Sequence, residues 1–199
     1  MKLLLEPDLS SYTDEAYEAD LLRLPAHRYS KAMTYRFIAD RKRCVKAYML
    51  LWEGLRQEYG VSDAPSFTYG PNGKPFLLDS PEIFFSLSHT GNAVLCALDG
   101  REIGADIEMI PRQNWESLLR VFSEEEASEI VHSPAPEISF ARAWTRKESF
   151  LKLTGRGLTD FETLRAIPTR DTPEVCFETV TREADGFVYS TCRFTGNPL

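Results

Sequence analysis

The sequence predicts an α+β protein made of two similar halves of about 100 residues, 1–100 and 101–199, packed as one unit. Three observations predict it. Long segments carry apolar residues at three- and four-residue spacing, the mark of amphipathic helices, while short apolar segments bounded by turn residues read as strands. These segments run in the order helix then strands, followed by strand, helices and strands again. The connection at Asp99-Gly100 is a turn, too short to be a linker between independent bodies.

Met1 to Leu5 is apolar, but Glu6 and Asp8 interrupt it before the core of a secretory signal could form. No stretch approaches the roughly 20 apolar residues of a membrane span. Residues 1–22 are acidic, with Glu6, Asp8, Asp14, Glu15, Glu18 and Asp20 against Lys2. Residues 23–46 reverse this, with Arg23, Arg28, Lys31, Arg36, Arg41, Lys42, Arg43 and Lys46 against Asp40. Such a run marks either a local anionic ligand or a solvated helix face. Residues 40–58 read as a helix with Val45, Tyr48, Trp52 and Leu55 as its buried stripe, ended by Gly60. Residues 64–75 are dense in Gly and Pro and read as a loop.

Strands are expected over 83–87, 93–98 and 102–108, with a turn at His89-Thr90-Gly91-Asn92. Residues 114–131 read as helical, interrupted at Ser123, whose spacing to Glu126 fits a capping box. Residues 138–153 form a further helix. Residues 174–194 read as a hairpin turning near Ala184-Asp185-Gly186.

Composition narrows the function. A chain with 43% hydrophobic and 27% charged residues is an ordinary folded protein. Its net charge of -7 argues against non-specific nucleic-acid binding. The cysteines (Cys44, Cys96, Cys176, Cys192) lack metal spacing and read as reduced thiols of a cytoplasmic protein, a Cys176–Cys192 bridge across the hairpin being the alternative.

Four groups of residues carry possible chemistry. Asp106 and Glu108, two apart on a strand, share one face and suit a hard divalent cation, or face solvent. On the helix of Trp144 to Lys152, Glu148 and Lys152 neighbour each other on one flank of a stripe of Phe140, Trp144 and Leu151, while Lys147 lies on the other. They face a cleft or form a surface ion pair. Gly155 and Gly157 can end that helix and admit a ligand close to the backbone. Ser86, Ser88 and His89 end a strand and can donate to a phosphate. A Ser-His hydrolase is disfavoured, because adjacent Ser88 and His89 point to opposite faces of an extended chain and G-x-S-x-G is absent there.

Together these segments resemble the phosphopantetheinyl transferase superfamily, particularly its larger, surfactin-synthetase-type members. Four blocks carry the resemblance, in the family's order: Gly73-Lys74-Pro75; Phe85-Ser86-Leu87-Ser88-His89-Thr90-Gly91; Ile103-Gly104-Ala105-Asp106-Ile107-Glu108; and Trp144-Thr145-Arg146-Lys147-Glu148-Ser149-Phe150-Leu151-Lys152-Leu153-Thr154-Gly155-Arg156-Gly157-Leu158. Phe122 to Glu126 fits a lesser pattern. Ser86 departs from the family, where many members have Asn, and Ala105 replaces a larger aliphatic residue.

The resemblance implies two halves related by a pseudo-two-fold, with the active site at their junction, in a monomer. It implies transfer of 4'-phosphopantetheine from coenzyme A to a serine of an acyl or peptidyl carrier protein, with release of 3',5'-ADP. Asp106, Glu108 and Glu148 match the ligands of Mg²⁺ or Mn²⁺ bridging the pyrophosphate, and Glu148 matches the base. Lys147 and Lys152 match lysines near the coenzyme A phosphates, Lys152 also stabilising charge in the transfer. Ser88 and His89 match residues around the 3'-phosphate, and Gly73, Lys74 and Pro75 match a loop at the nucleotide end. Arg28, Lys31, Arg43 and Lys46 are the cations from which the resemblance draws 3'-phosphate ligands. Two rivals are a non-catalytic coenzyme A-binding module and a metal-dependent phosphohydrolase.

Overall fold

Seven consecutive buried residues, Ala93–Asp99 (β5), form the central strand of the first sheet in this computed structural model, which describes residues 1–157 and 160–196. Lys2–Glu6 (β1) and Phe84–Thr90 (β4) flank β5, both antiparallel to it. Burial on both faces explains a continuous apolar run where a half-exposed strand would alternate. One face, through Val94, Cys96 and Leu98, meets the helix Ile38–Tyr59 (α3). The other, through Ala93, Leu95 and Ala97, meets Ile103–Met109 (β6). Val45, Tyr48, Leu51 and Leu55 of α3 are fully buried, and Gly60 closes that helix in the left-handed conformation.

The short helices Asp14–Arg23 (α1) and Ala26–Met33 (α2) precede α3. Residues 64–75 are not all loop. Phe67–Tyr69 (β2) pairs with Pro75–Leu77 (β3) in a small hairpin, because Phe67 is drawn into the core against Phe85 and Tyr48.

The second sheet has the order β6, Phe187–Phe194 (β8), Val175–Arg182 (β7), all antiparallel. Between β6 and β7 in the chain, a 3₁₀ helix at Trp115–Val121 is followed by Glu124–Val131 (α4). The break comes at Ser123, whose hydroxyl and Glu126 form a capping box. Pro136–Thr154 (α5) lies across this sheet, and Phe161–Ala166 (α6) follows. Leu158, the last residue of the fourth block, lies outside the described residues. Cys176 pairs with Arg193 and Cys192 with Phe177, so the two cysteines are one register step apart and all four thiols are free. Among the described residues no helix is long and apolar enough to cross a membrane.

Two contacts fix the site. The first is the crossing of α5 over β6 at Gly104. A Cβ there would sit 1.9 Å from the carbonyl oxygen of Ser149 and 2.4 Å from the nitrogen of Leu153. Both are backbone atoms of α5, so a larger residue must push the helix away. Gly104→Ala is expected to cost about 3 kcal/mol by overpacking, read as a lower urea midpoint; an unchanged midpoint would contradict this packing.

The second is a seam between the sheets. Beside β6, β4 offers hydroxyls at every second residue. Ser86 Oγ accepts from the Ala105 N–H (2.9 Å), Ser88 Oγ donates to Asp106 Oδ1 (2.8 Å), and Thr90 Oγ1 donates to Glu108 Oε2 (3.2 Å). The two-residue period of a strand points all three side chains the same way.

Candidate active site

Two adjoining cavities, of about 320 and 400 Å³, share Leu87, Glu148 and Lys152 and form one cleft. The larger is bordered by Asp106 and Glu108 from β6, by Glu148 and Lys152 from α5, by Ser88 and His89 from β4, and by Arg28 and Lys31 from α2. The smaller is bordered by Gly73, Lys74 and Pro75 and by Gly155 and Gly157. β6 presents its two acids on one face, and α5 presents Glu148 and Lys152 one turn apart, so the crossing at Gly104 brings these four side chains together.

Asp106 is 3% exposed. Its Oδ1 accepts from Lys152 Nζ (2.7 Å) and Ser88 Oγ (2.8 Å), while its Oδ2 is buried without a partner. Lys152 Nζ also donates to Ser88 Oγ at 2.8 Å. Burial, then the charge of Asp106, pushes the Glu108 carboxyl up to about 7, against the opposing pull of Thr90 and Lys152. The same two causes raise Glu148, opposed by Lys152.

Among the described residues no three His, Cys, Asp or Glu side chains are gathered closely enough to hold a metal as they stand. The donor set still fits a hard divalent cation. Three carboxyls border one cavity, one oxygen has no partner, and the proton affinities of Glu108 and Glu148 are raised by burial and by Asp106, a crowding of acids that a cation would relieve.

This arrangement has a consequence for stability. Folded Glu108 keeps its proton up to about 7, whereas its ordinary value is 4.5. In that window the folded state binds more protons than the unfolded one. Its stabilising contribution is therefore complete below 4.5 and is lost as pH rises through 7. Thermal melts of chelator-treated protein are expected to show such a loss, reduced in Glu108→Gln. A wild-type slope in that variant would exclude Glu108 as its source.

Other predicted residues lie elsewhere. Lys147 is a correction. It is 0% exposed, its Nζ donates to the carbonyls of Leu164 (2.9 Å) and Ile167 (2.7 Å), and it pairs with Glu126 at 3.1 Å. The flank of α5 opposite the cleft faces α4 and α6, which carries Lys147 away from any phosphate there. Lys46 pairs with Glu6 at 3.2 Å and does not border the cleft. Arg43 pairs with Asp40 and donates to the Gly91 carbonyl, outside both cavities. The acidic N-terminal segment accounts for part of the basic run, since Asp14 also holds Lys42 at 2.9 Å and Asp20 holds Arg23 at 3.2 Å. Lys74 borders the cleft, but its ammonium donates to the Leu153 carbonyl near the end of α5 and lies 3.7 Å from Glu102.

Several contributors escaped the sequence reading. Thr90 holds Glu108, and its only sequence signal is the alternation Ser86, Ser88, Thr90. Arg28, one of the predicted phosphate cations, does border the cleft: it lies over the rings of Tyr48 (5.1 Å) and Phe67 (5.3 Å), with Nη2 on Cys44 Sγ (3.7 Å) and a buried Nε that has no partner. Tyr35, Cys44 and Ala47 also border the cleft.

Residues 102–191 match the family model described as the 4'-phosphopantetheinyl transferase superfamily. The chain is 33% identical over 130 residues to 4'-phosphopantetheinyl transferase psf-1 of Bacillus pumilus, covering 64% of this chain and 56% of that protein. It is 32% identical over 136 residues to a 4'-phosphopantetheinyl transferase of Bacillus subtilis, covering 67% and 61%. It is 42% identical over 101 residues to 4'-phosphopantetheinyl transferase AcpT of Salmonella typhi, covering 48% and 52%. The chain thus spans little more than half the length of these relatives.

Proposed function

The chain belongs to the 4'-phosphopantetheinyl transferase superfamily, and from that premise we propose that it moves 4'-phosphopantetheine from coenzyme A to a serine of an acyl or peptidyl carrier protein, releasing 3',5'-ADP. One observation supports this most: Asp106, Glu108, Glu148 and Lys152 border the same cavity as Arg28 and Lys31. Such a cleft offers acids to a divalent cation and cations to phosphates.

In this reading Asp106, Glu108 and Glu148 would hold Mg²⁺ or Mn²⁺, which would offset the charge of the pyrophosphate and favour in-line attack. Glu148 takes the proton of the carrier serine. Its raised proton affinity, caused by burial and then by Asp106, moves it toward the range where a general base works. The serine Oγ bonds to the phosphorus nearer pantetheine. The bond from that phosphorus to the bridging oxygen breaks, and its electron pair leaves with 3',5'-ADP. Lys152 offsets the charge on the leaving oxygen. Ser88 and Thr90 hold Asp106 and Glu108 in place. Arg28, Lys31, Ser88 and His89 take the 3'-phosphate end, and Gly73, Lys74 and Pro75 line the nucleotide end.

The two sheets are the two halves of the proposed pseudo-symmetric, surfactin-synthetase-type architecture, with the cleft at their junction. In support, the strands of the first sheet come from residues 2–99 and those of the second from 103–194, each sheet carrying one long helix, α3 or α5. The reading carries with it a cytoplasmic monomer.

Chromatography of 3',5'-ADP in mixtures with coenzyme A and Mg²⁺, with and without apo-carrier, tests the assignment. Release that requires the carrier is expected. Phosphate-bond cleavage without carrier would indicate a hydrolase, and coenzyme A binding without any release a binding module.

A further inference from the structure

A third cavity, of about 350 Å³, lies against α5 and shares no lining residue with the cleft. Arg142 and Arg146 border it, one helical turn apart. Arg146 is two residues from Glu148 and so lies nearly opposite it around the helix. Both guanidiniums are held by neutral partners. Arg142 Nη1 donates to Thr181 Oγ1 (3.0 Å), and Arg146 donates through Nε to Thr179 Oγ1 (2.8 Å) and through Nη1 to the Thr169 carbonyl (2.7 Å).

The carboxylates that border the cavity are engaged by other cations, one of which, Arg170, borders it too. Glu126 pairs with Lys147 (3.1 Å) and accepts from Thr169 Oγ1 (2.6 Å), and Glu129 pairs with Arg170. Among the described residues no carboxylate comes within 4.0 Å of Arg142 or Arg146. Two half-buried guanidiniums therefore face one concave space without an ion-pair partner of their own, the charge of Asp171 reaching Arg146 only from beyond ion-pair distance. Burial, then the neighbouring Arg142, weakens the hold of Arg146 on its proton; Asp171 opposes this and Arg170 adds to it, so positive charge outweighs negative around the fork. The hydroxyls of β7 fix both forks before any ligand arrives, and fixed forks suit the paired oxygens of a phosphoryl group.

We propose that Arg142 and Arg146 form a second anion site, outside the catalytic cleft, for a small phosphate-type oxyanion. Its source is either free phosphate or the phosphate monoester of a larger molecule.

The test uses the full chain labelled with ¹⁵N, following the arginine Nε–Hε signals during titration with inorganic phosphate at constant ionic strength. Saturable shifts of Arg142 and Arg146 are expected, kept in Arg28→Gln and weakened roughly tenfold in Arg142→Lys, which keeps the charge and loses the fork. The same titration with a phosphate monoester separates the sources. Tighter binding of the monoester supports the larger ligand, and equal binding supports the free anion. Shifts that do not saturate, or that chloride reproduces at equal ionic strength, would overturn the proposal. So would undiminished binding to a folded Arg142→Lys.

Discussion

Asp106→Asn is expected to lower the transfer rate by at least about 10²–10³-fold while leaving the circular dichroism spectrum and melting temperature close to wild type. Asparagine has the shape of aspartate and can still accept the Ser88 hydroxyl, so packing around this 3%-exposed side chain is kept. What is lost is the charge facing Lys152 and the partnerless Oδ2. Glu108 and Glu148 should also release their protons more readily, because Asp106 is the second-largest cause of the rise in both. The variant thus separates the carboxylate's chemistry from its place in the core. Near-wild-type transfer would remove Asp106 from the machinery.

Lys147→Ala is expected to lose about 3–5 kcal/mol of unfolding free energy. The substitution leaves the Glu126 carboxylate and the carbonyls of Leu164 and Ile167 without their shared donor. Glu126 also serves the capping box of α4 and accepts from Thr169, so the loss would spread to α4, α6 and the segment after it. Equilibrium urea unfolding reads the effect directly. If Lys147 instead met a coenzyme A phosphate, the variant would keep its stability and raise KM for coenzyme A.

Much of the site is legible in the sequence because it rests on two short-range periods. Residues two apart on a strand share a face, which places Asp106 and Glu108 together. Residues four apart on a helix do the same for Glu148 and Lys152. The resemblance adds which segments meet. Lys147 misleads because its neighbour Glu148 does reach the cleft; only the packing of α4 and α6 tells the two flanks of α5 apart. Lys46 misleads because its acidic partner lies 40 positions away, in a strand the sequence reading did not assign. β1 is missed because it is short and gains its place by pairing with β5 and by packing Leu3, Leu4 and Leu5 against distant core residues, long-range contacts that leave no strand pattern in the local sequence. The β2–β3 hairpin hides within a stretch whose Gly and Pro content reads as loop, since long-range core contacts at Phe67 and Leu77 draw it into place.

Intact mass of apo-carrier domains incubated with this protein, coenzyme A and Mg²⁺, with and without EDTA, tests the central claim most directly. The account predicts a mass gain of one phosphopantetheine on a carrier serine, abolished by EDTA and absent when that serine is replaced by alanine. An unmodified carrier across fatty-acid, polyketide and peptide-synthetase types, under conditions where coenzyme A binds, would contradict it.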